Sequence, residues 1–259
     1  KATNDKNYPE NDLFTLYKRF QFNINQLLNA EVSHKTLTNV EARALVYQRI
    51  LLESDVNKKL ELIKILKDLF IKDNFTNAFD DQLKQLLENI NPEEIPSNFS
   101  TFYFTHLKNE ENIVKDIKFN KDVLHQSKLI NYFNGDYAKS KIEKDLNNFL
   151  KKIKKDKKYI ISKKDIILIE SMRSDGIEIS KKYDNLYEIN ESEIPTDIQV
   201  MINNNEIGAT ILRIIEVIGQ DKLETLDEDT LYFIISALNQ LNIDYIRNKI
   251  LLKVLPLNV

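Results

Sequence analysis

Residues 206–257, EIGATILRIIEVIGQDKLETLDEDTLYFIISALNQLNIDYIRNKILLKVLPL, carry the clearest helical periodicity in the chain and decide its fold class. Apolar side chains recur at Ile207, Ile211, Leu212, Ile214, Ile215 and Ile218, the three- and four-residue spacing of a helix face. Gly219 follows and stops this helix, because glycine takes the left-handed conformation of a C′ position without steric cost. Asp227-Glu228-Asp229 then puts negative charge where a second helix begins, against unsatisfied N–H groups and the positive dipole end. Leu231, Ile234, Ile235 and Leu238 give that helix its buried face. Asn242 is the expected N-cap of a third helix, which carries Ile243, Ile246, Ile250, Leu251 and Val254 and ends before Pro256. A link as short as Gln240-Leu241-Asn242 makes the last two antiparallel neighbours. Burying so many aliphatic side chains, at roughly 1.5–3 kcal/mol each, needs more cover than three helices supply, so upstream protein is expected over their outer face.

The composition agrees with helices throughout. Only four glycines and five prolines occur in 259 residues, whereas sheet, sandwich and barrel folds use both at most turns. A formal net charge of −3 with 30% charged residues describes a mixed solvated surface, so nucleic acid is not the expected partner. The absence of cysteine removes disulfides, thiolate nucleophiles and sulfur-ligated zinc. No apolar run approaches the ~18–20 residues that span a bilayer; the longest are short, as at Ile166–Ile169. The chain begins at Lys1 with no apolar leader, which leaves a removed signal peptide and none at all both open.

Residues 1–12 are polar and read as an arm, a tail or a strap. Phe14, Leu16, Tyr17, Phe20, Phe22, Ile24, Leu27 and Leu28 predict one or two short helices. A capping box at Thr38-Asn39-Val40-Glu41 opens a stronger helix through Leu52, Ser54-Asp55 punctuates it, and Leu60, Ile63, Leu66, Leu69 and Phe70 mark its return partner. Asp80-Asp81 starts another. The linkers 91–97 and 190–196 share Asn, Glu, Ile-Pro and a hydroxyl residue, which either marks a duplication or repeats common turn chemistry. Further helices are expected around Ile113, Val114 and Ile117, from an Asn120 cap through Phe133, from Asp136 to Ile153, and from a Ser162–Asp165 capping box to Asp175-Gly176. Residues 177–195 read as a short helix with extended flanks, or as a loop.

Few residues point to chemistry. His34, His106 and His125 are scattered, with no partner at helical spacing and no acidic neighbour evident. No phosphate-binding glycine loop, nucleophile elbow or paired-histidine zinc motif occurs. Six lysines in eight positions, Lys151, Lys152, Lys154, Lys155, Lys157 and Lys158, suit either a solvated helix end or an anionic lipid, RNA or acidic partner. Phe99, Phe102 and Tyr103 share one helical face and suit either a core or a recognition patch.

Three stretches carry a resemblance: Val40-Glu41-Ala42-Arg43-Ala44-Leu45-Val46-Tyr47-Gln48, the helix and turn from Asp165 to Gly176, and Glu206-Ile207-Gly208 through Arg247 and Leu255. Together they resemble a group of uncharacterised alphaproteobacterial helical-repeat proteins of the tetratricopeptide-like α-solenoid class, whose members often carry export signals. The resemblance implies a fold and a periplasmic or envelope location, and it transfers no catalytic residue. The expectation is therefore an all-α, irregular α-solenoid of helix hairpins: an arm at 1–12, one half at 13–96, and another at 97–259, packed as one continuous body. Its expected role is a non-enzymatic scaffold that binds a protein or peptide in a groove lined by Phe99, Phe102, Tyr103 and Arg43, with the lysines as a rim. Neither cofactor nor metal is expected. A small-ligand binder or enzyme with a pocket between the halves is the alternative, and peripheral contact with an anionic membrane is a third reading.

Overall fold

The computed structural model describes residues 1–108, 118–156, 158–186 and 194–256. No strand forms among the described residues, only an isolated bridge at Lys118. Two compact units result, the first from residues 1–96 with 105–108, the second from 97–104 and the described residues from 118 onward.

The first unit contains α1 (Glu10–Tyr17), α2 (Ile24–Leu28), α3 (Ala30–Ser33), α4 (Asn39–Leu52), α5 (Val56–Lys72) and α6 (Asp80–Glu88). The Thr38 hydroxyl accepts the Glu41 N–H at 3.4 Å while the Glu41 carboxylate accepts the Thr38 N–H at 3.1 Å, so the capping box forms and starts α4. Asp55 caps α5 by accepting the Lys58 N–H at 2.8 Å. Between them, the Glu53 carboxylate takes the Ser54 and Asp55 N–H groups, each at 3.0 Å, and turns the chain back. Leu45, Leu60, Ile63 and Leu66 fill the α4–α5 hairpin without exposure. Rings from four elements close the core, with Phe14 4.7 Å from Tyr47 and Phe70 stacked on Phe79 at 4.9 Å. The arm is shorter than expected: α1 begins at Glu10, whose carboxylate accepts the Gln82 N–H at 3.1 Å.

The chain continues through α7 (Ser100–Leu107), and the second unit adds α8 (Lys139–Lys155), α9 (Lys163–Ser174), α10 (Thr196–Asn203), α11 (Ile207–Ile218), α12 (Glu228–Gln240) and α13 (Asp244–Val254). Asp227 caps α12 by accepting the Thr230 N–H at 2.9 Å, and α12 packs along α9. Leu168, Met172, Leu231 and Ile234 are among the side chains fully buried in this core.

Asn242 does not cap α13. It sits at φ +53°, and the Ile243 N–H reaches back to the Leu238 carbonyl at 3.0 Å, so it ends α12 in a Schellman turn where asparagine tolerates the left-handed region. The helix expected from Asn120 through Phe133 is instead two 3-10 turns, Leu124–Gln126 and Lys128–Asn134. Ser127 splits them: its backbone is extended and its hydroxyl donates to the Leu124 carbonyl at 2.7 Å. Gly135 ends the second turn at φ +76°, so close to Phe99 that a Cβ there would lie 2.8 Å from the ring. Residues 181–186 form one further 3-10 segment. The helix expected around Ile113, Val114 and Ile117, and residues 190–193 of the second Ile-Pro linker, lie outside the described residues.

Candidate functional site

The four residues expected to line a groove are buried. Phe99, Phe102, Tyr103 and Arg43 expose between 0% and 4% of their surface, which corrects the recognition reading in favour of packing. For Arg43 the reason is a set of partners within the first unit. Its Nε donates to the Tyr17 hydroxyl at 2.9 Å, its Nη1 pairs with Asp73, and its guanidinium lies 5.2 Å from the Phe70 ring centroid. A buried cation with those neighbours is held by the core and offers nothing to a ligand. Phe99 is locked beneath Gly135.

The histidines are likewise absorbed by local structure. His34 Nδ1 donates to the Ala30 carbonyl at 2.8 Å, and His106 Nε2 faces Lys67 Nζ. His125 does have an acidic neighbour, contrary to the reading of the sequence. Its Nδ1 lies 2.7 Å from Asp165 Oδ1, its backbone N–H donates to the same oxygen at 2.9 Å, and Tyr159 donates its hydroxyl to Asp165 Oδ2 at 3.0 Å. Burial works against the Asp165 carboxylate, but the two hydrogen bonds from His125 and the one from the Ser162 N–H together hold it below the ordinary aspartate range.

Ser162, His125 and Asp165 are the residue types of a hydrolytic triad, yet their geometry is not one. The Ser162 Oγ lies 3.4 Å from Nδ1, the ring nitrogen that already faces Asp165. A base must receive the nucleophile's proton on the nitrogen opposite its orienting carboxylate. This cluster ties the α9 cap to the 124–126 turn. Among the described residues, no three His, Asp or Glu side chains converge as metal ligands.

The deepest polar cluster surrounds Arg247, which is fully buried. Its guanidinium meets both Asp175 oxygens, at 2.8 and 3.1 Å, donates to Asn239 at 3.1 Å and to Asn248 at 2.8 Å, and lies 5.5 Å from the Phe133 centroid. Asn248 donates onward to the Ser97 carbonyl at 2.7 Å, and Ser97 donates its hydroxyl to Asp175 at 2.7 Å. Burial pushes the Asp175 carboxyl up, and Arg247 and Ser97 offset part of that; burial and Asp175 both push the Tyr132 hydroxyl up. With every guanidinium nitrogen engaged, the cluster joins α9, α13 and the 97–100 turn and leaves no donor for a substrate.

Among the described residues two surfaces stand out as open to a ligand. The lysine run lies at the end of α8, with Lys151, Lys152, Lys154, Lys155 and Lys158 exposed and Lys157 outside the described residues. Lys154 turns aside and donates to the Lys182 carbonyl at 2.8 Å.

The other surface is apolar and was not anticipated. α11 buries only Thr210 and Ile214, while Leu212 is 64% exposed and Ile215 55%. Among the described residues its main packing neighbour is the short upstream helix α10, which leaves Leu212 and Ile215 uncovered, whereas α12 is packed along α9. Between α11 and α13 runs an open groove of about 760 Å³, with walls from Ile211, Ile215, Ile218, Leu223, Ile246 and Ile250. Lys249, Lys253 and Glu224 stand at its border, the last two paired at 3.1 Å. The sequence signal for this groove was present in excess: apolar residues occupy so much of the helix wheel that one neighbour could not cover them all. No family model, no curated protein and no solved structure matches the chain.

Proposed function

We propose that the chain is a non-enzymatic binding module that seats one amphipathic helix of a protein partner in the groove between α11 and α13. The observation that carries this reading is the exposed aliphatic wall of α11 facing α13 across about 760 Å³. A twelve-residue helix is roughly 18 Å long, and an incoming helix is about 10–12 Å across. Apolar anchors at three- and four-residue spacing would enter such a groove as in other helix-in-groove complexes. Contiguous exposed aliphatic surface of this kind marks interaction sites in soluble proteins. The α-solenoid reading belongs to the same proposal. What supports it is local: α4 with α5, α10 with α11, and α12 with α13 are successive helices packed as neighbours, the unit from which repeat grooves are built.

The test uses a displayed library of amphipathic helical peptides with leucine at i, i+3, i+4 and i+7. Peptides selected on the wild-type chain are measured against Ile215→Asp/Ile246→Asp, which places charge on both walls, and against Val200→Asp, an exposed position outside the groove. Affinity falls at least about tenfold for the double variant, since walls that carry carboxylates no longer bury the aliphatic anchors of the peptide, and stays unchanged for the control. Failure to enrich any helical peptide, or equal binding by the double variant, refutes the proposal. A concentration-dependent dimer abolished by the same variant assigns the groove to a second copy instead.

A further inference from the structure

We propose that a second, independent groove, between residues 118–129 and α8, binds an organic phosphate that carries at least two negative charges beside an apolar or aromatic group. This groove encloses about 1130 Å³. Lys118, Lys121 and Lys128 line it from the connecting segment, and Lys151, Lys152 and Lys155 from one face of α8. Among the described residues of the lining, these six lysines meet Asp122 and Asp145, a local surplus of four positive charges there in a chain whose formal net charge is −3. Among the described residues none of the six lies within ion-pair distance of a carboxylate; the ion pairs of this unit form elsewhere.

A solvated helix end explains part of this. Lys152 and Lys155 lie in the last turn of α8, where cations meet the negative end of the dipole. It does not explain why Lys118, Lys121 and Lys128, which belong to no α-helix, face the same hollow. Like charges that converge with too few counter-charges repel one another, and in a concave site they focus a positive potential that draws in an anion. Lysine binds phosphate as a point charge without the fixed fork that arginine requires, which suits clustered phosphates of variable geometry.

The apolar lining of the groove narrows the ligand further. Phe119, Leu129 and Phe149 line it, and the two rings are half-buried on the core. A purely ionic ligand has no use for them. A nucleotide places its base, and a phospholipid its glycerol and upper acyl chain, against such surface while the phosphates meet the lysines. The shared chemistry is a phosphate ester next to apolar atoms, and the two sources are separable.

The experiment titrates the chain calorimetrically with ATP. Separately, it floats the chain with vesicles of equal parts phosphatidylcholine and cardiolipin, or of phosphatidylcholine alone. Lys151→Gln/Lys152→Gln/Lys155→Gln removes half of the lysine rim while keeping helix propensity. Lys35→Gln/Lys181→Gln/Lys222→Gln removes the same charge at exposed positions outside the groove. We expect one of the two phosphate ligands to bind the wild type, with affinity reduced at least about tenfold in the rim variant and less than about twofold in the control. ATP binding without flotation identifies a soluble ligand, and cardiolipin-dependent flotation without ATP binding identifies a headgroup. The proposal is overturned if neither binds, or if the rim and control variants behave alike.

Discussion

Replacing Arg247 by leucine should cost the second unit a large part of its stability. The substitution removes the cation paired with Asp175, whose side chain is 2% exposed, and strips donors from Asn239 and Asn248. Breaking a buried pair from one side leaves an uncompensated charge and costs about 3–5 kcal/mol. For a unit of this size each kcal/mol moves the midpoint by ~2–4 °C, so the melting temperature should fall by roughly 6–20 °C. Urea unfolding followed by circular dichroism measures the loss, and Asp175→Leu completes a double-mutant cycle. Arg247→Leu/Asp175→Leu should be less damaging than the two single losses added together, because it leaves neither charge behind. A loss below about 1 kcal/mol for Arg247→Leu, or strict additivity in the cycle, would refute the view that this ion pair organises α9, α13 and the 97–100 turn.

Gly135→Ala should destabilise by about 1–2 kcal/mol for the left-handed backbone and a further ~1–3 kcal/mol from crowding Phe99, read in the same urea titration. Phe102→Asp/Tyr103→Asp should abolish cooperative thermal unfolding, since both rings are core; a folded double variant would restore these rings as candidates for recognition. Asp165→Asn should be less stable than wild type at neutral pH. Because the folded Asp165 carboxyl titrates below its unfolded value, its contribution is present above that ordinary value of about 3.9 and is lost as pH falls through the lower folded value. The gap between wild type and variant should therefore close only in that acid window, with His125 and Tyr159 facing the group throughout. Ile215→Asp/Ile246→Asp should unfold within about 0.5 kcal/mol of wild type, both positions being exposed.

Much of the secondary structure was legible because its causes are local. The Thr38–Glu41 and Ser162–Asp165 capping boxes and the acidic start of α12 at Asp227 act within one helical turn, and each forms where the sequence places it. Scarce glycine and proline with aliphatic side chains at three- and four-residue spacing sufficed for an all-helical chain. Asn242 marks where local reading fails, since asparagine serves a helix start and a left-handed helix end equally well, and only the path of the following chain selects between them. The site was hardly legible at all. Composition alone does not tell a buried Arg43 from an exposed one; that depends on Tyr17 and Asp73, 26 and 30 residues away. His125 gained its carboxylate from 40 residues downstream. The lysines of α8 acquired Lys118, Lys121 and Lys128 as neighbours through the turn of the chain at 124–134. Periodicity supplied the apolar faces of α11 and α12 alike, but only tertiary packing determined that α9 covers the second and leaves the first open. Hydrophobic burial is non-directional, and which surfaces meet is settled by the whole chain at once.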